Sequence, residues 1–160
     1  LSDVALESRL VLSTVHAHVA SIHPVVHETA AKKSDAFDAT GSAFRTTLGT
    51  SSKTVSFTNQ LSLVSPQLGT FQGTSSATYT VKSRIAKGVE TYTASNGSTL
   101  KLQIEGKFGP LGANDLSIGS YKVIGGTGIY AHASGKGTFI ALPIGPDGSR
   151  AIGYSGTLKY

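Results

Sequence analysis

From Thr40 to Tyr160, runs of alternating apolar and polar residues are separated by Gly, Ser, Asn-Gly and Asp-Gly clusters at intervals of about ten residues. A period of two turns every second side chain to one face of a strand, so the pattern predicts an all-β domain, an antiparallel barrel or sandwich. About eight strands are predicted, over 42–49, 53–65, 70–82, 88–95, 98–106, 116–124, 134–142 and 149–159. In the second, Val55, Phe57, Leu61 and Leu63 share a face with Asn59, and Thr54, Ser56, Thr58, Gln60 and Ser62 take the other. In the third, Phe71, Ala77, Tyr79 and Val81 oppose Gln72, Thr74, Ser76, Thr78 and Thr80. Leu100, Leu102 and Ile104 face inward in the fifth, with Lys101, Gln103 and Glu105 outward, and Ile152, Tyr154, Leu158 and Tyr160 face inward in the last. One apolar and one polar face per strand suits a single closed antiparallel barrel, which also leaves no unpaired edge.

Turn chemistry marks the connections. Asn96-Gly97 reads as a two-residue type I′ hairpin, whose central positions both need positive φ, and Asp147-Gly148 is a second hairpin candidate. Ile124 to Phe139 is richest in glycine: Gly125, Gly126 and Gly128 permit a tight turn before Ile129 and Tyr130, and Gly135 and Gly137 thin the next strand. Gly126-Thr127-Gly128 is not a dinucleotide fingerprint, because more strand and loop follow rather than a helix whose N-terminus would hold a pyrophosphate. The stretch resembles the Gly-Gly-Thr-Gly-(aromatic)-x-x-Ala-x-Gly signature of the allene oxide cyclase and dirigent barrel superfamily, including its secreted, bacterial-type members. That resemblance implies one barrel, and a cofactor-independent isomerase or cyclase holding an apolar small molecule inside it.

With 160 residues the chain suits one domain with one core. Ser, Thr and Gly abound, charged residues make up 14%, and Cys, Met and Trp are absent, so a disulfide scaffold is excluded and an exported β-protein is expected. Leu1 in place of an initiator Met points the same way, to a processed N-terminus and a secreted or cell-surface location. The net charge of +5 comes from scattered residues, with only Lys32-Lys33 adjacent, so no nucleic-acid stripe is expected. No apolar run reaches transmembrane length, and no cofactor is expected.

Residues 1–34 read as an arm preceding a barrel domain of 35–160. Val4, Leu6, Leu10 and Leu12 align with period two, whereas Val11, Val15, Val19 and Ile22 recur with helical spacing, so strand and helix both remain open until Pro24 ends either. An apolar arm before a self-sufficient barrel needs a partner surface, which makes Val4, Leu6, Leu10, Leu12, Val15, Val19 and Ile22 candidate subunit-interface residues of a homo-oligomer or polymer. His16 and His18 would share one side of a strand, and His23 and His27 one face of a helix. No regular element presents all four, so surface or interface imidazoles are expected rather than a metal site.

Catalytic candidates are scarce. By alternation Glu90 and Glu105 face outward, Asp115 and Asp147 lie in loops, and Asp35 and Asp38 precede the barrel. Inward polar residues reduce to Asn59, Tyr79, Ser120, Tyr154, Lys122 and Arg45, and no Gly-x-Ser-x-Gly elbow supports a triad. No catalytic residue is assigned. Asn96-Gly97-Ser98 is formally a glycosylation sequon on an exposed hairpin. The expected function is therefore an exported structural or interaction protein whose arm packs on a neighbouring subunit to build a filament or surface assembly. The alternative is an isomerase or cyclase binding an apolar small molecule among Phe57, Asn59, Phe71, Tyr79, Phe139 and Tyr154. A carbohydrate-binding module, using the Ser and Thr ladders of the outer wall, is third.

Overall fold

The computed structural model describes residues 33–109 and 116–160. The arm residues Val4, Leu6, Leu10, Leu12, Val15, Val19 and Ile22, and the histidines His16, His18, His23 and His27, lie outside the described residues.

The strands are β1 (Ser34–Ala36), β2 (Ala39–Thr50), β3 (Thr54–Ser65), β4 (Gly69–Thr80), β5 (Ile85–Ala94), β6 (Thr99–Phe108), β7 (Ser117–Gly126), β8 (Ser134–Pro143) and β9 (Ser149–Lys159). From β2 onward each pairs antiparallel with the next, and β9 returns to β2, closing an eight-stranded barrel. Each of the eight predicted strands is present within three residues of its expected bounds. The short β1 was not expected. It runs in line with β2, pairing with 157–159 in the register that Ala39 to Phe44 keep with 149–154, and Lys33 exchanges backbone hydrogen bonds of 2.7 and 2.8 Å with Tyr160.

The inner face is aromatic. Phe37, Phe57, Phe71, Tyr92 and Tyr130 are fully buried together with Leu63, Leu100, Leu102 and Leu158. The inner wall dips at glycine where rings need room: a Cβ at Gly137 or Gly156 would collide with the side chain of Tyr121. The glycine-rich stretch closes one end. Gly125 takes φ +111° beside the bulge at Ile124, Gly128 takes φ +59° over Ser98, and a single 3-10 turn, Gly128–Tyr130, tucks the Tyr130 ring between Phe71 and Tyr160 at 6.2 and 5.2 Å.

Some expectations fail for identifiable reasons. Val81 is exposed because β4 ends at Thr80, and Tyr160, past the end of β9, is only half-buried. Ser120 and Lys122 face solvent; Ser117, Tyr121 and Val123 are the inward residues of β7. Ile118 and Ile124 share the parity of Ser120 and made that face look internal, yet both lie on the outer wall. Both expected hairpins form, without the type I′ turn: Gly97 and Gly148 have φ +82° and +92°, but neither Asn96 nor Asp147 has positive φ. Gly97 N–H donates to Ala94 O and Asn96 Oδ1 accepts from Ser98 N–H, the pattern of a type I turn ended by a left-handed glycine.

A buried acid, two tyrosines and two arginines as the candidate functional site

Strand register sets one row of polar side chains around half of the inner wall. Arg45 on β2 stands opposite Asn59 on β3, Asn59 opposite Ser75 on β4, and Ser75 opposite Glu90 on β5. Arg45 Nε donates to Asn59 Oδ1 at 3.3 Å and Asn59 Nδ2 donates to Ser75 Oγ at 2.5 Å. The Arg45 guanidinium also lies over the Phe57 ring, 4.0 Å from its centroid.

Glu90 faces inward and is 4% exposed, which reverses the expectation that it faces solvent. In β5 the inward positions are Ala86, Gly88, Glu90, Tyr92 and Ala94, whereas Val89 projects outward at 43% exposure. Val89 is the residue that misled the alternation; counting from Tyr92 would have placed Glu90 inside. Glu105 does face out, paired with Lys87 at 2.9 Å.

Tyr92 hydroxyl donates to Glu90 Oε2 at 3.0 Å, Tyr154 hydroxyl reaches from β9 to donate to the same oxygen at 2.7 Å, and the two hydroxyls stand 3.0 Å apart. With Glu90 ionised, two hydroxyl protons serve three contacts. With Glu90 protonated, each contact has its own proton and the triangle is satisfied. Burial pushes the Glu90 carboxyl from 4.5 up to about 7, against the opposing pull of the Tyr154 and Tyr92 hydrogen bonds. Burial, and then the Glu90 charge, push both tyrosines well above the ordinary phenol range.

Arg150 on β9 stands opposite Ala43, two residues before Arg45 on the same inward face, so the two guanidinium side chains are diagonal neighbours. Arg150 donates to Ser117 Oγ at 3.1 Å. Arg45 is held down to about 10, first by burial and then by the Arg150 charge. A void of about 30 Å³ lies among Arg45, Asn59, Glu90, Arg150 and Tyr154. That is room for about two water molecules, far below the several hundred Å³ of a typical small-molecule pocket, so a larger ligand must displace a side chain.

All six residues expected to line a ligand site are buried inside the barrel. Phe57, Asn59, Phe139 and Tyr154 border the void, whereas Phe71 lies toward the closed end against Phe37 and Tyr130, and Tyr79 packs on Phe108. Glu90, Tyr92, Ser75 and Arg150 were missed. Among the described residues no group of three or more His, Cys, Asp or Glu side chains could hold a metal, and no helix is long and apolar enough to cross a membrane.

The chain folds as a closed eight-stranded antiparallel barrel with a polar row buried in an aromatic interior. Among solved structures it is similar to a pterocarpan synthase dirigent protein, with 14% identity, a TM-score of 0.59, and coverage of 84% of this chain and 88% of that one. The likeness is one of fold. No family model and no curated protein matches the chain.

Proposed function

We propose that the barrel binds a small, largely apolar molecule carrying a carbonyl or hydroxyl group, and that Glu90 exchanges a proton with it, as in a cofactor-independent isomerase or cyclase. The observation that supports this reading is the Glu90–Tyr92–Tyr154 triangle beside the void, with an acid poised near neutrality where one group can serve as base and acid. Tyr92 keeps the carboxyl oriented, and Tyr154, which borders the void, can turn its hydroxyl from Glu90 to a developing oxyanion once the carboxyl is protonated. Arg45, at the mouth and only half-buried, is the side chain that moves to admit the ligand. The test follows hydrogen–deuterium exchange beside the carbonyl of small ketones such as acetophenone and cyclohexanone in D2O by NMR. Wild-type protein is expected to accelerate exchange with a rise centred near pH 7, and Glu90→Gln to lose about a hundredfold or more. Equal rates with the two proteins would remove the reading.

A second reading, assembly outside the cell through the arm of a neighbouring copy, draws support from the outer wall. Ile118 on β7 stands opposite Ile140 on β8, and the register continues through Gly153 and Thr40 to Val64, with Leu142 and Phe44 in the adjoining rows. Ile118, Ile140, Val64, Leu142 and Phe44 are 41–55% exposed, an apolar face of the sort that marks interaction sites. In this reading the apolar residues of segment 1–34 cover that wall on the next subunit and extend a filament or surface assembly. Light scattering of the full chain is expected to show an oligomer that Ile140→Lys dissociates; a monomer before substitution would sink it.

A further inference from the structure

The geometry points to a carboxylate-binding site beside the void, in which Arg45 holds the anionic end of the ligand. Two guanidinium groups on adjacent strands, two residues out of register and on the same inward face, repel each other where water screens poorly. The burial that lowers Arg45 is reinforced by the Arg150 charge, so the two cations feel one another. An intramolecular anion for Arg45 is lacking among the described residues. Glu90 is held by Tyr92 and Tyr154, Glu105 by Lys87 on the outside, Asp35 by Lys33 and Tyr160, Asp147 caps its own turn through Ser149, and Asp38 is exposed between β1 and β2. Arg45 spends its Nε on Asn59 and its face on Phe57, which leaves both Nη groups without a hydrogen bond among the described residues. A planar fork with two free donors, held by stacking and beside a second cation, suits the two oxygens of a carboxylate better than a neutral carbonyl.

This inference rests on the interior being a small-molecule site, but its test reads binding alone. Phenylpropionate and its amide are titrated separately against the full chain, following the arginine Nε–Hε resonances by NMR. The acid is expected to bind about tenfold or more tightly than the amide and to shift Arg45. Arg45→Gln is expected to lose about that factor. Equal binding of acid and amide, or arginine resonances unmoved by the acid, would overturn the proposal. If Arg45→Gln does not fold, the acid–amide comparison on the unsubstituted protein decides. Carboxylate binding with ketone exchange unaffected by Glu90→Gln would remove the acid–base reading and leave this site standing; loss of exchange with acid and amide bound alike would do the reverse.

Discussion

Between pH 4 and pH 8, Glu90→Gln is expected to gain about 3 kcal/mol of stability relative to the unsubstituted protein. The folded carboxyl titrates near 7 and the unfolded one near its ordinary 4.5. Below the unfolded value both states are protonated, and the neutral acid completes the three-proton triangle, so its contribution is fully present. As pH rises from there toward 7 the unfolded chain releases a proton that the folded chain retains, and stability falls. Above 7 the folded protein holds a buried carboxylate and the loss is complete. Gln has nearly the same shape, accepts from one tyrosine and donates to the other, and does not titrate. Urea unfolding of both proteins at the two pH values gives the difference directly, since all other titrating groups are common to them. Parallel stabilities would mean that Glu90 ionises in the fold as it does in water. A shift of this size is a large part of the 5–15 kcal/mol that holds a domain together.

Phe37→Ala is expected to cost about 3–5 kcal/mol, the range for deleting a buried aromatic ring. Phe37 sits between β1 and β2, where two residues separate the strands, and it is 1% exposed. Its N–H donates to Gly156 O at 3.0 Å, and its ring meets Phe71, Tyr121 and Tyr154 at 6.3, 5.6 and 5.9 Å. Truncation would leave a cavity beside Tyr154, the residue that holds Glu90. Water entering there would also return Glu90 toward the ordinary carboxyl range. Urea unfolding checks the first effect and the pH dependence of stability the second. A cost below about 1 kcal/mol would show that the segment before β2 is an appendage rather than part of the core.

Period-two alternation read the barrel well where one face was mostly apolar, as in β6 and, despite the inward Asn59, in β3. It failed where the barrel uses its inner face for polar groups. In β5 the inward positions are Ala86, Gly88, Glu90, Tyr92 and Ala94, and the one branched aliphatic near the centre, Val89, points out. In β7 the exposed Ile118 and Ile124 outweighed Tyr121. Both errors have one cause: the outer wall carries its own apolar surface, so hydrophobicity alone does not mark the inside. Arg45 was read as a possible inward residue, but its neighbour Arg150 was not, because their proximity depends on the β2–β9 closure between the two ends of the described chain. The Glu90–Tyr154 bond, spanning β5 and β9, depends on that closure as well. Turn type was legible only in part: the glycines with positive φ at 97 and 148 were anticipated, but the preceding Asn96 and Asp147 remain at negative φ.

The most direct measurement is an NMR pH titration of the ¹³C-labelled side-chain carboxyl of Glu90, assigned by its absence in Glu90→Gln. A midpoint near 7 is expected, moving with Tyr154→Phe because that hydroxyl's hydrogen bond favours the charged form. A midpoint near 4.5, unchanged by Tyr154→Phe, would contradict the account of an acid poised inside the barrel.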